Sequence, residues 1–120
     1  MRLTKFIKQN LNRLGLDFYR LSAGKNTVHQ LSLSLSHFEV DLVFDIGANI
    51  GQFAKELKLM GYTGEIVSFE PLSKAHAKLA LEAKAVSGWH VHSRTAVGNQ
   101  DGEIEINVSN NSVSSSILPM

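Results

Sequence analysis

The sequence contains no cysteine and only two prolines. Without cysteine, a disulfide framework, thiolate zinc sites and a cysteine nucleophile are excluded. No apolar run approaches the length of about 18 residues that a membrane-spanning helix needs. The amino terminus also lacks the continuous apolar stretch of a secretory signal. We therefore expect a cytoplasmic protein with no transmembrane segment.

The residues that are present suit one small domain. The chain has 120 residues, and 43% of them are hydrophobic, which is enough to form a core. Its net charge of +1 is unevenly distributed. Residues 1–30 carry six Lys or Arg against one acidic residue, a net charge of +5, whereas residues 31–120 carry six against ten, a net charge of −4. The excess of basic residues predicts that the amino-terminal segment is an extension of the main domain, with a separate role at the protein surface.

Residues 1–40 are predicted to form this amino-terminal helical extension, and residues 41–120 the main domain. The extension begins with a predicted amphipathic helix, because apolar side chains recur at helical spacing. We favour the interpretation that this apolar face lies on the main domain. The alternative is a binding module whose basic side contacts an anionic membrane or nucleic acid. Of these two partners, we expect no nucleic acid. Weak contact with a membrane surface stays open. The apolar residues are Leu3, Phe6, Ile7, Leu11 and Leu14.

The stretch before residue 40 fits two structures. Leu31, Leu33 and Leu35 alternate with serines, as in a strand, but the spacing of apolar residues over 28–38 also fits one face of a helix. We favour the helix, with Thr27 as its N-cap. The buried strand that follows needs a connector that packs over it.

From Asp41 onward, apolar runs alternate with helical patterns. This order predicts an α/β fold: a Rossmann-like partial parallel sheet of the form β-α-β-α-β with a further strand. The alternation of residues 103–108 predicts that further strand as half-exposed. The predicted strands are 42–46, 65–70, 89–93 and 103–108, and the predicted helices are 52–60 and the segment from Pro71 to about Val86.

A glycine-containing turn between the first of these strands and its helix is the main candidate site. It reads Asp45-Ile46-Gly47-Ala48-Asn49-Ile50-Gly51-Gln52. In open α/β sheets, ligands bind at the carboxyl ends of the strands, where glycines let the backbone approach them. Glu70 ends the second strand, where a carboxylate can accept hydrogen bonds from both ribose hydroxyls. Together these features predict a nucleoside cofactor.

The charge of the site favours S-adenosylmethionine over a dinucleotide. A carboxylate at position 45 would repel a pyrophosphate, whereas it would attract the sulfonium and ammonium groups of S-adenosylmethionine. The dinucleotide fingerprint G-x-G-x-x-G is also incomplete, because Asn49 stands between Gly47 and Gly51. Asp45 could instead cap the turn, and an NAD-dependent oxidoreductase half domain remains the alternative.

The sequence resembles the FkbM family of S-adenosylmethionine-dependent methyltransferases over about residues 40–120. The resemblance rests on the turn motif Asp-Ile-Gly-Ala-Asn-Ile-Gly, on Ser-Phe-Glu-Pro at 68–71, on Ala-Val-Gly at 96–98 with Gly102, and on the segments 107–109 and 114–118. It implies a Rossmann-like methyltransferase fold. It also implies methyl transfer to a hydroxyl oxygen of a small molecule or glycan.

The resemblance also implies roles for individual residues. The turn would line the methionine end of the cofactor, Glu70 would hold the ribose, and the segment around Ala96 would lie near the adenine. Ser114–Ser116 would fall in a loop near the substrate. The cofactor-binding residues expected are Asp45, Gly47, Ala48, Asn49, Gly51, Glu70, Pro71 and Ala96; the catalytic residue is unknown.

Members of the family continue with a fourth strand that carries a lysine-isoleucine-aspartate motif, and this sequence does not contain it. We therefore expect either the amino-terminal half of a methyltransferase domain or a truncated, non-catalytic remnant, with weak or no turnover by itself. The strand 42–46 would then be an apolar edge through which copies of the chain could associate.

His90 and His92 would share one face of their strand. A metal site would need a third ligand, such as His76 or His37, and we therefore expect no metal.

Overall fold

The computed structural model describes residues 26–108. The amphipathic helix predicted near the amino terminus and the loop at Ser114–Ser116 lie outside the described residues. The described elements alternate between helix and strand. They are α1 (Thr27–His37), β1 (Leu42–Ile46), α2 (Gln52–Leu59), β2 (Glu65–Phe69), α3 (Ser73–Lys84) and β3 (Trp89–Val91).

The three strands form one parallel sheet in the order β1-β2-β3. Both connections contain a helix, as parallel neighbours require. The register places Asp45 beside Ser68, and Ser68 beside Val91. The predicted α/β class with a partial parallel Rossmann-like sheet is confirmed.

The ambiguous segment before β1 is the helix α1. Its N-cap is Asn26 rather than Thr27, because the Asn26 side chain accepts a hydrogen bond from the His29 N–H at 2.8 Å. α1 packs on α2, and Ser32 donates to the carbonyl of Met60 at 3.2 Å. No helix within residues 26–108 is both long and apolar enough to cross a membrane.

The hydrophobic core lies between the sheet and its helices. Leu57 of α2, Leu79 of α3 and Ile66 of β2 are fully buried. Ala75, Leu79 and Ala83 are the buried residues of α3. The other buried members of this core are Ala48, Ala54, Tyr62 and Trp89.

The opposite face of the sheet is open along β1. Side chains alternate between faces along a strand, and Leu42, Phe44 and Ile46 are 45%, 61% and 59% exposed. The Phe44 ring meets Phe69 edge-on, and His92 stacks on Phe69. Within the described residues, β1 is an edge strand, as predicted.

The strand predicted over residues 103–108 does not form. The structure has irregular backbone there, with an isolated bridge at Asn107. Ile104 and Val108 are 57% and 65% exposed. Alternation of apolar residues favours a strand, but a strand also needs a neighbour to bond. The sheet of the described residues ends at β3 instead.

Candidate functional site

The turn between β1 and α2 has three residues with positive φ. Gly47, Asn49 and Gly51 adopt φ values of 77°, 53° and 94°. Glycine takes this conformation without cost, and asparagine is among the side chains that tolerate it best. A Cβ at Gly47 would have no atom within 4 Å, so the space above the start of the turn is open.

Four N–H groups of this turn are already bonded inside the protein. Those of Gly47 and Ala48 both donate to the carbonyl of Phe69, at 3.0 Å each, and that of Gly51 donates to Ala48 at 2.9 Å. The N–H of Asn49 donates to the Glu70 carboxylate at 2.7 Å. A pyrophosphate is bound through free backbone N–H groups. These four are engaged and are not free to bind a pyrophosphate.

Glu70 joins this turn to the start of α3. One carboxylate oxygen accepts from Asn49, and the other accepts from the N–H of Leu72 at 2.8 Å. The residue is 5% exposed. Each carboxylate oxygen has a second lone pair, so both can still accept a hydroxyl proton.

Asp45 lies on the side of the sheet that faces the helices and is 8% exposed. Its Oδ2 accepts a hydrogen bond from the Ser68 hydroxyl at 3.2 Å. Burial raises the pKa of Asp45 above its ordinary value of 3.8; the Ser68 hydrogen bond opposes that rise, and the charge of Glu70 adds to it. The two carboxyl groups singled out in the sequence therefore act on one another.

The Trp89 ring packs against the end of the turn at Gly51. A Cβ at Gly51 would come within 2.6 Å of the Trp89 ring and 3.0 Å of Leu79. Gly51 is the N-cap of α2, so its missing side chain lets the helix start directly against this ring. Trp89 also donates its Nε1–H to the Ser68 hydroxyl at 2.9 Å.

The remaining predicted residues occupy two places. Pro71 is half-buried and follows Glu70 directly at the approach to α3. Ala96 is half-buried in the irregular segment after β3. The structure thus brings the turn and Glu70 together, and the role predicted for Ala96 stays a prediction.

Ser68 and Trp89 are the residues of this site that the sequence interpretation missed. A signal for Ser68 was present, because it is a polar residue within the otherwise apolar run 66–69. The parallel register then sets it beside Asp45.

The two histidines of the β3 region have separate partners. His90 contacts the Glu65 carboxylate at 2.6 Å. His92 stacks on Phe69 with ring centres 5.0 Å apart. His76 contacts the backbone carbonyl of His92 at 2.8 Å. Residues 26–108 contain no group of three side chains suited to a metal ion.

Comparison with protein families identifies this arrangement. A family model for the FkbM methyltransferase domain matches residues 45–120, which is more than half of the chain. The chain belongs to the FkbM methyltransferase family. A search of curated proteins finds no match.

The FkbM match confirms the resemblance stated from the motifs. It begins at Asp45 and includes the turn, Glu70 and Ala96. Methyl transfer is therefore the general activity that the family indicates.

Proposed function

We propose that the turn 47–51 binds S-adenosylmethionine, and that the FkbM domain transfers a methyl group to a hydroxyl oxygen of a small molecule or glycan. The observation that carries this proposal is the charge of the site. Asp45 and Glu70 supply two buried carboxylates, while four N–H groups of the turn are used internally. Such a site suits a cationic ligand that donates hydrogen bonds.

The residues present fit this cofactor. When bound, S-adenosylmethionine supplies a methyl group activated by a positively charged sulfur. Asp45 would attract the ammonium group of its amino-acid end. The second lone pairs of the Glu70 oxygens would accept the ribose hydroxyl protons. Gly47 would leave room for close contact, since no atom lies within 4 Å of its Cβ position.

The protein's contribution to catalysis would be placement of the reactants. Holding acceptor and donor in line replaces an encounter in solution with a reaction between fixed neighbours. The carboxylates and the turn would fix the donor on rigid elements, since the turn is bonded to β2 through Phe69 and Glu70. The cytoplasmic location stays a prediction from the sequence.

Calorimetry tests the choice of cofactor. We expect S-adenosylhomocysteine to bind to the protein and NAD to give no binding heat, because the Asp45 carboxylate would repel a pyrophosphate. Binding of NAD in preference to S-adenosylhomocysteine would support the oxidoreductase alternative and overturn the proposal.

A matched pair of glycine variants locates the binding site. Gly47 and Gly61 both have positive φ (77° and 101°), and neither has an atom within 4 Å of its Cβ position. Replacement by alanine should therefore cost each variant about 1–2 kcal/mol of stability, because a residue with a Cβ is strained in this conformation. We expect only Gly47→Ala to weaken S-adenosylhomocysteine binding, by about tenfold or more, since that is worth about 1.4 kcal/mol of lost contact. Equal effects at both positions would contradict a site at the turn.

A further inference from the structure

Beneath the turn, Trp89, Ser68 and Asp45 form a chain of two hydrogen bonds in which each proton is donated towards Asp45. An indole N–H can only donate a hydrogen bond, and an ionised carboxylate can only accept one. Trp89 therefore donates to Ser68 at 2.9 Å, and Ser68 uses its single proton to donate to Asp45 at 3.2 Å. Because both ends are fixed by chemistry, the Ser68 hydroxyl has one orientation that satisfies all three groups.

The three residues of this chain are all buried. Ser68 is fully inaccessible, Trp89 is 4% exposed and Asp45 is 8% exposed. Little water can replace a partner at such positions, so removing one group leaves its neighbour unsatisfied. The Trp89 ring is held in place by the close approach of Gly51, so the position of the turn and the orientation of the hydroxyl depend on the same side chain.

We propose that Ser68 and Trp89 are positioning residues that hold the Asp45 carboxylate in the ionised, oriented form that binds the methyl donor. This inference rests on the proposed function. Neither residue needs to touch the cofactor, because each acts through Asp45. The affinity of the turn for its ligand then depends on a hydroxyl on the neighbouring strand.

The direction of the hydrogen bonds explains how ionisation is favoured. A hydrogen bond donated to a carboxylate stabilises its charged form. For Asp45, the Ser68 bond lowers the pKa against the effects of burial and of Glu70. Glu70, at the end of β2, is the charged group that acts on Asp45 from the neighbouring elements.

The first test measures the titration of the Asp45 carboxyl carbon by NMR without any ligand. We expect Ser68→Ala to move the Asp45 titration to higher pH, and Trp89→Phe to move it less in the same direction. Ser68→Thr, which keeps the hydroxyl, should restore the titration seen in the original protein. An unchanged Asp45 titration in Ser68→Ala would overturn the proposal.

Ser32→Ala is the matched control. Ser32 is also a buried serine with a hydroxyl that donates once, but its acceptor is Met60, just past the carboxyl end of α2 and away from the turn. We expect Ser32→Ala to lose stability without moving the Asp45 titration. An equal shift in this variant would show a general effect of destabilisation and would count against the proposal.

The second test measures S-adenosylhomocysteine affinity at pH 7 by calorimetry. We expect about a tenfold loss for Ser68→Ala, the equivalent of one buried hydrogen bond, and no loss for Ser32→Ala or Ser68→Thr. If the unaltered protein fails to bind, the proposed function is wrong, and the ligand-free titration still decides the positioning role. If Ser68→Ala does not fold, the Trp89→Phe titration decides it, and an unshifted value there overturns the proposal.

Discussion

Asp45 and Glu70 are both buried acids, but their surroundings differ. Glu70 accepts two backbone N–H groups, whereas Asp45 accepts one hydroxyl proton. Burial therefore raises the pKa of Asp45, because a single hydrogen bond does not offset the lost hydration. At the scale of single residues, one acid fastens the turn and the other is the candidate for binding the ammonium group of a ligand.

The raised pKa gives the stability of the protein a specific pH dependence. A carboxyl with a raised pKa in the folded state binds its proton more tightly there than in the unfolded chain. The stability it contributes is full below the ordinary value of 3.8 and is lost as pH rises through the raised folded pKa. Asp45→Asn removes this loss and keeps an oxygen that can accept from Ser68.

We therefore expect Asp45→Asn to be more stable than the original protein at pH 7 and to bind S-adenosylhomocysteine more weakly. Urea unfolding at pH values from 3 to 7, with about one curve per pH unit, measures the difference in stability between the two proteins and its change with pH. If the free energy of unfolding changes with pH by the same amount in Asp45→Asn and in the original protein, the pKa of Asp45 does not cause the pH dependence.

Glu70→Gln should destabilise the protein. Glutamine offers one acceptor oxygen, so its NH₂ group would face either the Asn49 or the Leu72 N–H. We expect a loss of about 1–3 kcal/mol in the free energy of unfolding, as for a buried donor left without a partner.

Glu82→Gln is the control for this change. Glu82 forms an exposed ion pair with Lys55 at 2.7 Å, and such pairs contribute about 0–1 kcal/mol. Equal losses at positions 70 and 82, measured by urea unfolding, would show that the two backbone contacts of Glu70 add little.

At the scale of elements, β1 both carries a candidate site residue and forms an exposed edge of the sheet. It carries Asp45 at its end and has three exposed apolar side chains. In antiparallel pairing with a second copy centred on Phe44, Leu42 would face Ile46 and Asp45 would face Val43. Pairing centred on Asp45 would oppose two like charges and is therefore disfavoured.

We predict that Phe44→Lys reduces self-association, because a charge on an edge strand opposes pairing with another strand. Phe44 is 61% exposed, so little stability should be lost. Leu81→Lys is the control, since Leu81 is equally apolar and 68% exposed but lies on α3. Sedimentation at several protein concentrations measures the effect. Equal behaviour of the two variants would count against association through β1.

At the scale of the whole molecule, the main feature is the opposite charge of the two parts of the chain. Residues 1–30 carry +5 and residues 31–120 carry −4. If the apolar face of the amino-terminal segment lies on the domain, as we favour, anionic vesicles should retain little protein.

Neutralising Lys5, Lys8 and Arg13 with glutamine tests this expectation. We expect vesicle retention and S-adenosylhomocysteine affinity to stay unchanged in the triple variant. Retention that falls with salt in the original protein and disappears in the variant would instead support surface attachment.

The sequence predicted those parts of the fold that local pattern determines. The run 42–46, the glycine turn and the 65–70 run were recognisable because strand, bend and acid lie close together along the chain. Residues 103–108 have an equally regular alternation, yet among residues 26–108 no neighbouring strand pairs along them. Ser68 and Trp89 were missed as a pair because their meeting with Asp45 depends on strand register and on the placement of α2, which are tertiary properties.

Trp89 is the single tryptophan of the chain. Since its ring lies against Gly51 and its indole is tied to Ser68, the protein contains a natural fluorophore directly beneath the turn. Excitation of this ring gives an optical signal from one known position, without a label. Movement of the turn against β3 would change that emission, so the packing that lets α2 begin at Gly51 also makes the site directly observable in solution.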